Sequence, residues 1–306
     1  MTTVRANGIT LEYVETGQRD APVILLIMGL GMQLVAWPEP LCEGLAARGF
    51  RVIRFDNRDV GLSTRMPSAR PLATAAMMAR ASLRLPVRPP YSLNDMARDA
   101  VGLMDALKID RAHVVGASMG GMIAQIVAIE HPERVRSLTS IMSTPDRPMP
   151  RSSVLRALVR PRPRSREMAA RRMAEFFRLI AGSAYPPTDA ELRARVERSM
   201  LRSYRPDAFT RQLIAIQAAP SRVGMLRRVR APTLVLHGDE DPLVPLAGGK
   251  KTAAAIPGAR LRIVPGMGHF LPEALVPLLV EEIAGHCLEA DGEARNRTAR
   301  AAGGPQ

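Results

Sequence analysis

Residues 116–121 read Gly-Ala-Ser-Met-Gly-Gly, set between an apolar run, Ala112-His113-Val114-Val115, and a segment with helical spacing. The G-x-S-x-G pattern suits a sharp strand-to-helix turn whose central residue takes strained backbone angles. Gly116 and Gly120 lack the side chains that would collide in such a turn, so Ser118 can stand exposed above a sheet edge. Met119, Met122, Ile123, Ile126 and Val127 recur at i, i+3, i+4, i+7 and i+8, one face of a helix able to pack on that sheet. A helix beginning here offers free N–H groups and the positive end of its dipole to negative charge formed at the serine.

The flanking sequence predicts what the turn is built on. Val23–Ile27 is continuously apolar, as in a strand buried on both faces, and Arg51–Phe55 reads as another. Ile9–Tyr13 alternates and, with Gly17, reads as part of a hairpin. Pro67–Pro90 reads as a long proline-rich loop, and Ser92 with Asp95 caps a helix running to about Lys108. Val135–Met142 is a further strand, after which the alternation stops.

Beyond proline-rich linkers come three helical stripes: Met173, Phe176, Phe177 and Ile180; Leu192, Val196 and Met200 after a Thr188/Glu191 capping box; and Phe209, Leu213 and Ile216 after Pro206. Strands resume at Thr233–His237 and Leu261–Val264, followed by a helix over Pro272–His286. The expected fold is α/β, a mostly parallel central sheet flanked by helices with an inserted helical cap. Residues 1–144 and 222–289 form the core, 145–221 the cap, and 290–306 a polar tail expected to be disordered.

The net charge of +14 is unevenly placed. Between Asp146 and Arg230 stand 20 arginines, no lysine and 7 acidic residues, or +13, and the remaining 23 basic and 22 acidic residues give +1. These arginines interleave with helical apolar positions and lack aromatic platforms, which argues against nucleic acid as a partner. They read as a solvated helical surface, with steering of anionic substrates as the sharper alternative. Val23–Met32, the longest apolar stretch, is too short to insert across a membrane. Met1–Tyr13 has no signal-like apolar region, and Cys42 and Cys287 make no disulfide framework, so a cytoplasmic location is expected. No metal-ligand cluster or phosphate loop stands out, so neither a metal nor another cofactor is expected.

A serine hydroxyl needs a base and an acid that orients it. Among five histidines, His269 in Gly266-Met267-Gly268-His269 follows a strand on a flexible loop and is the candidate base. His113 lies too far down its strand, and His237 reads as structural. The acid belongs between serine and histidine in the chain order that G-x-S-x-G folds follow. His237-Gly238-Asp239-Glu240-Asp241-Pro242 offers Asp241, its backbone held by the neighbouring ring; Asp239 reads as a turn residue, and Asp146 is the substitute. Two oxyanion donors are expected, the Met119 amide and Leu30 N–H in Met28-Gly29-Leu30-Gly31. Met28, Met32, Met77 and Met78 imply a pliable apolar pocket, with Met28 at its wall and Trp37 at its floor.

Over nearly its full length the chain resembles the α/β-hydrolase superfamily. Met28-Gly29 with Trp37-Pro38, the run Arg54-Phe55-Asp56-Asn57-Arg58-Asp59-Val60-Gly61-Leu62-Ser63, and Pro265-Gly266-Met267-Gly268-His269 resemble its aclacinomycin methylesterase-like branch. The resemblance implies a Ser118–Asp241–His269 triad, Leu30 and Met119 as oxyanion donors, and a helical cap. Most of the superfamily has His-Gly where this branch has Met-Gly, so the loop at Met28 is expected to be ordered by packing. Asp56 and Arg58 are expected to tie turns together. The implied activity is hydrolysis of a small to medium apolar ester through an acyl-enzyme. C–C bond hydrolysis on the same triad, or a ligand receptor with a vestigial triad, are the alternatives.

Overall fold

A computed structural model describes residues 2–67, 71–158, 160 and 163–302. Among the described residues eight strands form one sheet: β1 (Thr2–Ala6), β2 (Ile9–Thr16), β3 (Val23–Ile27), β4 (Arg51–Phe55), β5 (Ala112–Ala117), β6 (Val135–Ile141), β7 (Thr233–Gly238) and β8 (Arg260–Val264). Their order is β1-β2-β4-β3-β5-β6-β7-β8. β1 and β2 form an antiparallel hairpin turned at Asn7-Gly8, where both residues have positive φ, 47° and 78°, as a two-residue primed turn requires. β2 pairs antiparallel with β4, and every pairing beyond it is parallel.

Among the described residues the sheet is accompanied by the helices α1 (Glu39–Ala47), α2 (Pro71–Ser82), α3 (Leu93–Ala106), α4 (Met119–Glu130), α5 (Ser152–Leu158), α6 (Arg166–Ile180), α7 (Asp189–Arg202), α8 (Pro206–Ala218), α9 (Val223–Leu226), α10 (Leu246–Ala255) and α11 (Val276–Ala302). β3 shows how the two faces divide. Val23, Leu25 and Ile27 pack with α3 and α4, while Ile24 and Leu26 pack with α1 and α11. A strand apolar at every position is what two covered faces require. Ser92 and Asp95 cap α3 reciprocally, the hydroxyl accepting from Asp95 N at 3.2 Å and the carboxylate from Ser92 N at 2.7 Å.

Four expectations change. The Pro67–Pro90 segment contains α2, whose Pro71 sits where a first-turn proline costs nothing. Among the described residues of 145–221 stand four helices where three were expected, α5 being additional. Thr188 accepts from Glu191 N at 3.1 Å, but the Glu191 carboxylate accepts from Glu273 N instead of closing the box. The segment expected to be disordered from 290 continues α11 to Ala302. Ala290 is buried, and Asp291 pairs with Arg136 at 3.0 Å and faces His113 at 3.5 Å.

Cap and core meet through polar side chains. Arg202 of α7 pairs with Asp56 at 2.6 Å, and Arg211 of α8 bonds both oxygens of Asp59 at 2.5 and 2.8 Å. Asp56 also accepts from Leu34 N and Leu62 N, and Arg58 pairs with Asp99, so the loop after β4 ties turns together. Arg222, where the chain leaves the cap, is buried and donates to Thr144 O and Gln125 Oε1. These arginines depart from the solvated surface that the composition predicts. Among the described residues no helix is long and apolar enough to cross a membrane.

Candidate active site

β5 ends in the expected turn. Ser118 has φ 57° and ψ −121°, a strained conformation for a residue with a side chain. Its backbone is held at both ends: Ser118 N donates to Ile141 O at 2.9 Å, and Ser118 O accepts from Gly121 N and Ser143 Oγ. The flanking glycines are steric necessities. A Cβ on Gly116 would lie 2.1 Å from Gly120 O, and one on Gly120 would lie 1.9 Å from Ile27 O.

His269 comes from the loop after β8, and its Nε2 lies 2.8 Å from Ser118 Oγ. Its Nδ1 lies 2.6 Å from Asp241 Oδ2, on the loop after β7. Asp241 is buried, and its other oxygen accepts from Leu243 N at 2.9 Å and Val244 N at 2.8 Å, so the carboxylate cannot rotate away. The three residues selected from the sequence therefore meet in one continuous line of hydrogen bonds. Asp146, the substitute acid, pairs with Lys251 instead. Asp239 does not bond its own turn but accepts from Gly266 N at 2.7 Å, joining the acid loop to the histidine loop.

His237 lies 3.6 Å from Asp241 and competes for it only weakly. Its Nε2 donates to Val244 O at 2.7 Å, and burial pushes its ring below the usual imidazole range, leaving it neutral. The cap steadies the histidine loop. His269 N and Gly268 N donate to Ile180 O and Ala181 O at the end of α6, at 2.5 and 2.9 Å. Gly182 permits this approach, since a Cβ there would lie 2.4 Å from Gly268 N.

Leu30 and Met119 sit beside Ser118 around the same cavity, and among the described residues no protein acceptor takes either N–H. The loop carrying Leu30 was expected to be ordered by packing; hydrogen bonds order it as well. Asn57 Nδ2 donates to Met28 O at 2.9 Å, Met32 N to Gly29 O at 3.2 Å, and Gly31 N to Gln212 Oε1 of α8 at 2.7 Å. Gln33 donates to Ser199 O and Ser203 O of the cap, both at 2.8 Å. Asn57 lies in the motif after β4 and was legible as architecture, whereas nothing in the sequence marks Gln212 or Gln33.

The cavity above the serine measures about 760 Å³ and is mainly apolar, with Phe176, Phe209 and Leu213 of the cap facing Met28, Met119 and Met122 of the core. Of the four methionines expected to line it, Met28, Met32 and Met78 do and Met77 does not. Trp37 does not: it is fully buried among Leu41, Leu45 and Phe50 on the far side of the loop, as core. Arg195 of α7 also reaches the cavity. Its guanidinium lies 4.4 Å over the Phe270 ring and donates to Leu271 O at 2.8 Å, with no carboxylate within ion-pair distance among the described residues. Burial pushes it down to about 10, against the pull of Glu191. Among the described residues no group of three or more histidine, cysteine or acidic side chains could hold a metal ion.

Residues 22–273 match the model of the family described as alpha/beta hydrolase fold. The chain is 30% identical to rhodomycin D methylesterases of Streptomyces sp. (strain C5) and Streptomyces peucetius over 292 residues, 87% of this chain and 91% of each relative. It is 28% identical to a 2-hydroxy-6-oxononadienedioate/2-hydroxy-6-oxononatrienedioate hydrolase of Paraburkholderia xenovorans, covering 86% of this chain and 85% of that one. In fold it is similar to a meta-cleavage product hydrolase from Pseudomonas fluorescens, with a TM-score of 0.74 at 23% identity, covering 95% of this chain and 98% of the other. The chain belongs to the α/β-hydrolase fold family, in its aclacinomycin methylesterase-like branch.

Proposed function

We propose that the protein is a serine carboxylic-ester hydrolase acting through an acyl-enzyme on a small to medium apolar ester. One observation carries the reading: the line Ser118–His269–Asp241 opens, with two unpaired amides, onto an apolar cavity. His269 Nε2 takes the Ser118 proton as Oγ attacks the ester carbonyl, and Asp241 holds Nδ1 protonated and stabilises the imidazolium. The Leu30 and Met119 N–H groups receive the oxyanion; one such donor is worth about 3 kcal/mol of transition-state stabilisation. Collapse expels the alcohol with the proton from His269, and water delivered by the same base releases the acid. The similarity to methylesterases supports a small alcohol as leaving group, and the cavity accommodates the larger acyl part. In this reading residues 145–221 act as the cap over a core of 1–144 and 222–289.

A second reading, hydrolysis of a C–C bond in a carboxylate-bearing dienone, is favoured by Arg195, a cation in the cavity wall with no carboxylate within ion-pair distance among the described residues. The test is turnover of p-nitrophenyl and methyl esters, with fluorophosphonate labelling of wild type and Ser118→Ala. Ester turnover and labelling, both lost in Ser118→Ala, are expected. Consumption of a 2-hydroxy-6-oxodienoate without ester turnover would move the assignment to the second reading. A wild type that neither turns over substrate nor becomes labelled would be a receptor, not an enzyme.

A further inference from the structure

We propose that Gln212, a cap residue, positions the oxyanion loop by holding the Leu30–Gly31 peptide, and so fixes the aim of the adjacent Leu30 N–H above Ser118. The inference rests on the ester-hydrolase reading and names a positioning residue for it.

Three consecutive peptides carry this loop. A peptide unit is planar, so a hydrogen bond at its carbonyl or its N–H restrains the orientation of both groups, and adjoining units restrained together hold better than one alone. Asn57 pins the Met28–Gly29 unit, and the Met32 N–H to Gly29 O bond pins the Gly29–Leu30 unit, which contains the donor. The Leu30–Gly31 unit is pinned from the cap, by Gly31 N donating to Gln212 Oε1 at 2.7 Å. That third restraint matters because Gly31 has φ 69°, the left-handed third position of a four-residue turn. Glycine takes either sign of φ with little penalty, so the turn alone does not keep this peptide from flipping. An acceptor fixed in space does.

Gln212 is suited to that task. It is fully buried, and its Nε2 donates to Arg58 O at 3.1 Å. The amide orientation is dictated by its partners, since reversal would set N–H against N–H and carbonyl against carbonyl. The preceding residue, Arg211, anchors the same helix through Asp59, and Phe209 lies so close that a Cβ on Gly31 would be 3.0 Å from its ring. One turn of α8 therefore clamps the loop after β4 and the loop that donates to the oxyanion. The Met28 side chain has no N–H to offer, and the side-chain hydrogen bonds to the Met28–Gly31 loop come from Asn57 and Gln212.

The experiment compares wild type with Gln212→Met, which removes both bonds at similar volume. For p-nitrophenyl acetate, kcat is expected to fall about 10- to 100-fold, less than deleting a donor outright, with KM within about threefold. Affinity for a trifluoromethyl ketone, whose adduct places an oxyanion in the same position, should fall by a similar factor. Gln212→Glu, protonated in this buried position, keeps acceptor and donor and should recover most of the rate. Should Gln212→Met fail to fold, Gln212→Asn keeps the amide but draws it back by one methylene, and the same split is expected. Wild-type kcat in a folded Met or Asn variant overturns the inference, as does a loss confined to KM. If the wild type itself neither hydrolyses esters nor is labelled at Ser118, the hydrolase reading fails and this inference with it. The two failures are distinguishable, one appearing in the wild type and the other in variants of an active protein.

Discussion

Replacing Arg211 with methionine tests whether the arginine-rich cap is fastened by buried charge. Arg211 and Asp59 are 4% and 0% exposed, and the guanidinium meets both carboxylate oxygens in a fork. Without Arg211, Asp59 keeps Tyr91 Oη at 2.9 Å and Met66 N at 3.1 Å as donors but loses its only charged partner among its described bonds. The Tyr91 hydroxyl remains a neutral donor, since burial and the Asp59 charge push it above the usual phenol range. Removing one member of a buried pair costs about 3–5 kcal/mol, and the two remaining donors place Arg211→Met near the lower end, about 3 kcal/mol. At roughly 2 °C per kcal/mol for a chain of this size, Tm should fall by about 6 °C. Scanning calorimetry near neutral pH measures it, and the loss should persist in about 0.5 M salt because a buried pair is little screened. Asp59→Asn combined with Arg211→Met should cost less than the sum of the single changes, because neither charge is then stranded. A Tm change under about 1 °C for Arg211→Met, or full additivity in the double variant, refutes the argument.

Asp241→Asn should lower kcat by about 10³–10⁴-fold with the fold intact, because an amide at that position favours the wrong tautomer of His269; an unchanged rate removes both residues from the mechanism. Arg195→Met should lower kcat/KM about tenfold for esters carrying a carboxylate and leave neutral esters within about twofold, and equal losses for both would count against a charge-selective wall. His237 and His286 are held below the usual imidazole range chiefly by burial. The unfolded chain therefore takes up protons below about pH 6.5 where the folded chain does not, so stability should fall as pH drops through that window. Urea midpoints at about pH 7.5 and about pH 5.5 should differ, and His286→Gln should reduce the difference; equal midpoints in the wild type contradict the sign.

The parts of this molecule legible in the sequence are those whose chemistry constrains a few neighbouring residues. The elbow at Ser118 fits in six residues because steric clashes demand glycine at 116 and 120. Asp241 and His269 are legible because each lies in a loop just beyond a strand, in the chain order the elbow serine requires. The errors share a different cause. Prolines flanking 67–90 read as breakers, although Pro71 begins α2. The polar segment after 290 reads as tail, yet the stripe Leu279, Ile283, Cys287 and Ala290 continues and carries Asp291 to Arg136. For Trp37, aromatic bulk gives no direction, and the loop turns the ring into the core rather than toward the cavity.

What the sequence hid altogether is how the cap serves the site, because each link joins distant positions. Gln212 reaches Gly31 across 181 residues, Gln33 reaches Ser199 across 166, and Arg211 reaches Asp59 across 152. None of these pairs forms a motif, and composition located the arginines without saying which turn inward. With the bonds from the His269 loop to the end of α6, they place the cap on both sides of Ser118, α6 against the His269 loop and α8 against the Leu30 loop. Lifting α8 would part the Arg211–Asp59 fork and the Gln212–Gly31 bond together. A cap fastened this way does more than shape the cavity. In the ester-hydrolase reading, exchanging it for another helical insertion would alter the oxyanion loop together with the acyl pocket, so rate and specificity could not be varied independently.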